Sequence, residues 1–176
     1  KPFIKRHIEE RELVVMLLVD VSASGHFGTA IGDSAQADTK RELAAVLAGA
    51  LAFSAIRDGD RVGMILFTDR VERFVPPKKS RAHVSRLLHE LLFTEPKSTG
   101  TSLTTALNFL NNLLHRPALV FVLSDFQDPA EETWQRALAA TNQRHEVIAL
   151  RTVDQRELEL PDVGLALVQD SETGEI

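Results

Sequence analysis

Four nearly continuous apolar runs divide the chain, and each has the length and β-branched content of a strand buried on both faces. The runs are "LVVMLLV" (13–19), "VGMILF" (62–67), "ALVFVL" (118–123) and "VIALRTV" (147–153). A strand buried on both faces needs helices above and below the sheet. The pattern therefore predicts a layered α/β structure with helices in the intervals between the strands.

The interval after the first run opens on a helix start signal. "TKRE" is a capping box, in which Thr39 and Glu42 satisfy free amides of the first helical turn. The segment that follows, "LAAVLAGALAFSAI", is apolar nearly all round and is expected to end at Gly59. A helix that is apolar on all sides is expected to lie in the middle of the fold.

Three further helices are predicted between or after the other runs. Apolar residues at three- and four-residue spacing indicate helices over residues 80–92 and 102–114. "DPAEE" indicates a fourth helix, with Asp128 as its N-cap and Pro129 at its first helical position. This helix continues through Trp134, which we expect to be a half-buried packing residue.

The alternation of strands and helices predicts a doubly wound, mostly parallel sheet with helices on both faces. "VERFVPPK" (71–78) follows the second run after only a turn, which predicts one antiparallel edge strand, ended by Pro76 and Pro77. "LALVQD" (165–170) is a candidate for another edge strand. No apolar run approaches the roughly 20 residues of a spanning helix, so we expect no membrane contact by this segment.

Composition narrows the class of protein without defining its function. With 176 residues, 44% of them hydrophobic, we expect a single domain over residues 1–176. Because the sequence opens on Lys1 and lacks signal-peptide features, we interpret it as a domain cut from a longer protein. The net charge of −5 argues against a nucleic-acid partner. The absence of cysteine excludes disulfides and thiolate chemistry.

Candidate chemistry is concentrated at the ends of two strands. In "LLVDVSASG", Asp20 ends the first run and is followed by Ser22 and Ser24 at alternating positions. Asp125, in "VLSDF", ends the third run. In doubly wound sheets ligands bind outside the carboxyl ends of the strands, so both carboxylates are expected at the ligand-binding edge.

Several kinds of site fit this stretch to different degrees. An aspartyl phosphatase would need a second carboxylate where Ser22 stands, and a phosphate loop would need a Gly-Lys-Ser/Thr ending. A serine hydrolase would place its serine in Gly-x-Ser-x-Gly, whereas Ser24 follows Ser22 and Ala23. Of the six histidines only His26 is expected near this edge, and we interpret it as a loop residue.

A cradle of oxygen ligands for a hard cation is the remaining interpretation. Carboxylate and hydroxyl oxygens suit Mg²⁺ or Mn²⁺, with Ca²⁺ as a further candidate. An extended loop leaving a strand can direct Asp20, Ser22 and Ser24 to one point, and "STGTSLTTAL" supplies Thr101 from a second loop. Asp125 then supplies the second acid.

These motifs, taken together, carry a family resemblance. "DVSAS", "GTSLTTAL" and "VLSD" resemble the von Willebrand factor type A (vWA) domain and its metal-ion-dependent adhesion site (MIDAS). "ERELVVMLLVDVSAS", "DGDRVGMILFTDRVERFVPP" and "ELELPDVGLALVQDSETGE" resemble, more narrowly, the bacterial domain-of-unknown-function 58 proteins, often encoded beside MoxR-type AAA+ ATPases. The resemblance implies a Rossmann-like vWA fold and five metal ligands: Asp20, Ser22, Ser24, Thr101 and Asp125.

The resemblance implies a protein-interaction module without catalytic residues. A partner would donate an Asp or Glu to the metal, and a MoxR-type ATPase is the expected partner or co-worker. It further implies a domain on the cytoplasmic side, tethered to the inner membrane through segments outside this sequence. Gly25 stands where adhesion-type members often have methionine, and the insert "GHFGTAIGDSAQAD" precedes the first helix.

Two other functions remain as alternatives: a Mg²⁺-dependent phosphohydrolase, and a structural domain with a vestigial site. Other polar residues have simpler interpretations. Thr68 and Asp69 are expected to form a turn and at most to support the site indirectly, and Asp33 and Asp38 are expected to be solvated loop residues rather than ligands of a second cation.

Overall fold

The structure is a computed structural model, and it describes residues 12–22 and 40–153. The strands of its one five-stranded sheet are β1 (Val14–Asp20), β2 (Arg61–Phe67), β3 (Val71–Lys78), β4 (Leu119–Ser124) and β5 (Glu146–Arg151). The helices are α1 (Lys40–Arg57), α2 (Arg81–Phe93), α3 (Leu103–Leu113) and α4 (Glu131–Asn142). Thr39 and the predicted strand over residues 165–170 lie outside the described residues.

The sheet has the order β3-β2-β1-β4-β5. Strand β1 pairs in parallel with both β2 and β4, β5 pairs in parallel with β4, and β3 pairs antiparallel with β2. Helices α1 and α2 pack on one face of the sheet, and α3 and α4 pack on the other. The predicted doubly wound, mostly parallel fold with one antiparallel edge strand, which is that of a vWA domain, is confirmed.

Strand β1 lies at the centre of the sheet and contributes to both halves of the core. Leu17 and Val19 pack with the α1 and α2 layer, whereas Met16 and Leu18 pack with the α3 and α4 layer. All four side chains are fully buried. An unbroken apolar run is therefore required here, because each face of the strand meets a helical layer.

The central strand is also where the chain changes direction across the sheet. Helix α1 leads from β1 to its neighbour β2 on one side, whereas β4 pairs with β1 on the other side. A doubly wound sheet has a crevice at such a switch point, outside the carboxyl ends of the strands. Asp20 is the last residue of β1, so it lies at the mouth of this crevice.

The sequence pattern predicts that the prolines end strand β3, and this prediction is wrong. Pro76 and Pro77 lie inside the strand, which continues to Lys78. Neighbouring residues of a strand direct their N–H groups to opposite sides, so one missing N–H lies on the unpaired outer side and the other faces β2. The pairing with β2 is irregular here, and a Cβ atom on Gly63 would lie 2.9 Å from the backbone nitrogen of Pro77.

Two predictions of burial were wrong. Helix α1 buries an alanine-rich face but leaves Leu43, Val46 and Phe53 at least 44% exposed, so it covers the sheet from outside instead of being surrounded. It ends before Gly59, as predicted, and this glycine has a φ of 92°. Strand β5 has only exposed and half-buried residues, because it is an edge strand of the described sheet. None of the helices in the described ranges is long and apolar enough to cross a membrane.

Candidate metal centre

Hydrogen bonds from Ser22 and Ser124 hold Asp20 at the end of β1. The Ser22 backbone N–H donates to Asp20 Oδ1 at 3.0 Å, and the Ser124 hydroxyl donates to Oδ2 at 2.7 Å. Ser124 is the last residue of β4, the strand beside β1. The carboxylate is therefore fixed across the junction of the two strands that form the crevice.

The surroundings of Asp20 disfavour its negative charge. Burial raises the pKa of the Asp20 carboxyl above its ordinary value, and the nearby Asp125 carboxylate adds to this shift. The hydrogen bonds from Ser124 and Ser22 act in the opposite direction and lower the pKa, but they do not cancel the effect of burial. A cation placed beside Asp20 would favour its charged form.

Asp125 lies one residue beyond β4 and is 4% exposed. Its Oδ1 accepts a 3.2 Å hydrogen bond from the Gln127 N–H, and its Oδ2 lies 3.2 Å from Lys40 Nζ. Lys40, the first residue of α1, is itself buried. Sequence analysis missed this ion pair. The available signal was a lysine in the first turn of a helix, where the helix dipole disfavours a positive charge unless an anion is close.

The chain turns sharply after Asp125. Phe126 has a φ of 61°, in the left-handed region that bulky residues rarely adopt. Its N–H donates to the Ser124 hydroxyl at 3.0 Å, and its ring packs against Trp134 with centroids 5.7 Å apart. Trp134 is half-buried, as predicted. These contacts hold a turn that costs about 1–3 kcal/mol in backbone strain.

Thr101 is buried in the loop that precedes α3. The next residue, Ser102, donates its N–H to the Thr68 carbonyl at 2.9 Å, and its hydroxyl caps the helix by accepting from the Thr105 N–H. Thr68 directly follows β2, which lies beside β1. The Ser102 bond thus attaches the Thr101 loop to the carboxyl edge of the sheet.

Asp128 does not cap α4, contrary to the sequence prediction. The N-cap position of α4 belongs to Ala130, which makes no side-chain cap bond, and Pro129 precedes the helix. Asp128 Oδ2 instead accepts from the Leu103 N–H at 2.9 Å, and Oδ1 accepts from the Ala130 N–H at 2.8 Å. The Asp128 carboxylate thus accepts from an N–H group at the start of α3 instead of capping α4. Asp128 therefore connects the loop after Asp125 to the helix that follows Thr101.

The structure brings part of the predicted site together. Asp20 and Ser22 share a hydrogen bond, and Asp125 follows the serine that bonds Asp20. Thr101 lies in the neighbouring loop. Ser24 lies outside the described residues, as do His26, Asp33 and Asp38.

The donor set fits a hard divalent cation. Its described members offer carboxylate and hydroxyl oxygens only, which are the ligands that Mg²⁺ and Mn²⁺ prefer. The half-buried Asp20 carboxylate, whose pKa is raised by desolvation, is a group that a cation would stabilise. Thr68 and Asp69 form a turn beside the site, as predicted: the Thr68 N–H donates to the Arg70 carbonyl.

Sequence comparison identifies relatives that are named as uncharacterised proteins. Two of them are the uncharacterised protein Rv1480 of Mycobacterium tuberculosis and the uncharacterised protein Mb1516 of Mycobacterium bovis. Each is 34% identical over 175 residues, which is 98% of this chain and 53% of the relative. The chain thus spans about half the length of these curated relatives.

Structural comparison finds the same fold at lower identity. The conserved hypothetical protein BatB of Bacteroides thetaiotaomicron superposes with a TM-score of 0.61 at 18% identity, over 79% of this chain and 66% of that protein. An aerotolerance-related membrane protein of Bacteroides fragilis superposes with a TM-score of 0.59 at 20% identity, over 79% of this chain and 67% of that protein. The family model described as "Protein of unknown function DUF58" matches residues 1–176, which confirms the resemblance in the motifs, and the chain belongs to this family.

Proposed function

We propose that this domain is a divalent-cation-dependent protein-interaction module with a site of the MIDAS type. The observation that carries the proposal is the Asp20 carboxylate, half-buried at the switch point of the sheet and fixed by Ser124 and Ser22. Asp125 places a second, buried acid beside it. Two carboxylates brought together at the ligand-binding edge of a doubly wound sheet favour a cation site there.

Five residues would hold the ion: Asp20, Ser22, Ser24, Thr101 and Asp125. The bound ion would supply positive charge with coordination positions left open to an incoming ligand. Because the site itself provides only two carboxylates, a third from an Asp or Glu of a partner is the natural complement. The hydroxyls would orient that ligand without adding negative charge.

Binding is favoured over catalysis because the histidines with described positions serve elsewhere. His83 donates to the Val62 carbonyl at 2.9 Å, His89 packs against Phe93, His115 is exposed in the link between α3 and β4, and His145 directly precedes β5 at its amino end. None of these four is among the groups that shift the pKa of Asp20. Histidine is the side chain that most often acts as a general acid or base.

The family resemblance suggests the partner. Proteins of this family are often encoded beside MoxR-type AAA+ ATPases, so we propose that the domain binds such an ATPase or its client protein. The task of the pair would be the assembly or maturation of other proteins. Because the chain spans about half the length of its curated relatives, the full-length protein would add further segments, among them a tether to the inner membrane on its cytoplasmic side.

A Mg²⁺-dependent phosphohydrolase is the second candidate, and one observation favours it. The Lys40 ammonium lies 3.2 Å from Asp125, and a basic group beside two acids is a feature of phosphoryl-transfer sites. The ammonium is nevertheless engaged by the carboxylate and buried, which suits it poorly to contact a phosphate. We expect no hydrolysis of generic phosphomonoesters or ATP by the domain, in Mg²⁺ or in Mn²⁺. Activity that is lost in Asp20→Asn would make this candidate the leading one.

Calorimetric titration with Mn²⁺ and Mg²⁺ tests the cation site. We expect a stoichiometry near one for the natural domain and no binding by Asp20→Asn, which keeps the size of the side chain but removes its charge. Circular dichroism checks that the variant is folded. Equal binding by the two proteins would refute the assignment of Asp20.

Pull-down of the candidate ATPase tests the role of the ion in docking. We expect capture to need Mg²⁺, to be lost in EDTA, and to be weakened by Thr101→Ala. Thr104→Ala is a matched control, because the Thr104 hydroxyl is buried without a hydrogen-bond partner among the described residues. Capture that persists in EDTA and in Thr101→Ala would place the docking surface elsewhere.

A further inference from the structure

The ion pair between Lys40 and Asp125 lies inside the candidate metal centre. The two side chains are only 6% and 3% exposed, and Lys40 Nζ lies 3.2 Å from Asp125 Oδ2. Lys40 is fixed by the start of α1, and Asp125 by the end of β4. The contact therefore joins two elements that are 85 residues apart in sequence.

A buried ammonium beside this carboxylate has a physical consequence for any divalent cation. The lysine loses its hydration on burial, and the nearby carboxylate compensates for that loss. A divalent ion on the same carboxylate would place three positive charges within a few ångströms of one another. Their repulsion is weakly screened in a buried site, so the two cations cannot both keep close contact with Asp125 at low cost.

We propose that the Lys40 ammonium is a resident monovalent cation of this site and competes with the divalent ion for Asp125. Divalent binding requires Lys40 to withdraw, which lowers the affinity and couples occupancy of the site to the first turn of α1. The inference rests on the proposed function, because it concerns the same ion. It adds Lys40 as the residue that sets how tightly the ion is held.

Titration of Mn²⁺ into Lys40→Gln tests the competition. We expect this variant to bind Mn²⁺ at least ten-fold more tightly than the natural domain. Lys79→Gln is the matched control, since it makes the same change of net charge at a lysine whose side chain is 46% exposed, and its affinity should equal that of the natural domain. Equal or weaker binding by Lys40→Gln would overturn the inference.

The Asp20→Asn variant separates this inference from the function on which it rests. Loss of Mn²⁺ binding in Asp20→Asn, together with unchanged affinity in Lys40→Gln, would leave the cation site in place and overturn the competition alone. Absence of binding in the natural domain and in Lys40→Gln would overturn both. Binding by Lys40→Gln where the natural domain shows none would support the competition in its strongest form.

A measurement on the natural domain covers the case in which Lys40→Gln does not fold. Buried, paired ammonium groups exchange their protons slowly enough to give a ¹⁵N-detected NMR signal, and Lys40→Arg assigns it. We expect the Lys40 signal in EDTA to shift or disappear on addition of saturating Mg²⁺. A Lys40 signal unchanged by saturating Mg²⁺ would overturn the inference.

Discussion

The hydroxyl of Ser124 donates a 2.7 Å hydrogen bond to Asp20 Oδ2 across the junction of β1 and β4. The two residues are 104 positions apart in sequence, and each is the last residue of its strand. The same hydroxyl accepts the Phe126 N–H, so it joins Asp20 to the turn that follows Asp125. One neutral side chain thus sets the relative positions of the two acids.

Ser124→Ala removes this connection. A hydrogen bond to a charged group contributes about 2 kcal/mol, so we expect a loss of that order in the free energy of unfolding at neutral pH and weaker Mn²⁺ binding. Urea unfolding and calorimetry measure the two effects. Ser85→Ala is the control, because the Ser85 hydroxyl donates to an exposed carbonyl of its own helix, that of Arg81. A Ser124→Ala variant as stable as Ser85→Ala would show that the bond is unimportant.

Asp128→Ala is expected to destabilise the domain and to loosen the loop that carries Thr101. The change leaves the Leu103 and Ala130 N–H groups without their carboxylate, at a cost of about 2 kcal/mol. Hydrogen exchange should show faster exchange at the start of α3. Ala130→Ser would add a hydroxyl at the N-cap of α4 and serves as the contrasting variant, with unchanged or slightly raised stability. Unaltered exchange at Leu103 in Asp128→Ala would contradict the role assigned to Asp128.

Two glycine-to-alanine changes are expected to act in opposite directions. In Gly63→Ala the new Cβ would lie 2.8 Å from Met16 Sδ and 2.9 Å from the Pro77 nitrogen, so we expect a loss of about 2 kcal/mol from overpacking. In Gly49→Ala, within α1, the nearest atoms are Leu88 methyls at 3.5 Å, an ordinary contact. The helix should then gain about 1 kcal/mol. Thermal unfolding of both variants measures these changes in stability. A change of the same sign in both variants would contradict the packing described for the two glycines.

His145 is expected to give the domain a pH-dependent stability. Burial lowers the pKa of His145 from its ordinary value of 6.5, and neither ring nitrogen has a hydrogen-bond partner among the described residues. The unfolded chain therefore binds the proton more readily than the folded domain does. Stability is fully present above about pH 6.5 and is lost as the pH falls through that value toward the lower folded pKa.

His145→Phe tests this assignment, since it fills a similar volume without titrating. We expect the variant to be more stable than the natural domain and to lose less stability between pH 7.5 and 5.5. His115→Gln, at an exposed histidine, should leave the pH dependence unchanged. Parallel stability curves for His145→Phe and the natural domain would rule His145 out as the titrating group. Urea midpoints across this pH range supply the measurement.

The strands and their arrangement could be predicted because their signals are local. Each buried strand is an apolar run, and the short link to β3 leaves only an antiparallel hairpin. The predicted burial of α1 and β5 was wrong because burial depends on contacts that are distant in sequence. An apolar segment has the same sequence pattern at the centre of a sheet and at its edge. Its position in the sheet depends on pairing with strands that are distant in sequence.

The positions of the two acids could be predicted because each marks the end of an apolar run: Asp20 is the last residue of β1, and Asp125 directly follows β4. Lys40, Ser124 and Asp128 were missed or misassigned because their roles depend on partners far away in sequence. Asp128 shows the difficulty most clearly. Its local pattern, with Pro129 and Glu131 behind it, is that of an N-cap, but a free amide of another helix competes for the carboxylate and takes it.

The two adjacent prolines of β3 also bear on the behaviour of the domain at high concentration. An exposed sheet edge offers unpaired N–H groups to any other chain, and edge-to-edge pairing of this kind begins many aggregates. Pro76 and Pro77 cannot donate such bonds, and they follow each other along the outer strand. Because consecutive residues direct their N–H groups to opposite sides, one of the two prolines removes a donor from the outer side of β3. The edge is therefore a poorer template for strand addition at this point, and Pro76→Val with Pro77→Thr should make the domain prone to fibrillar assembly.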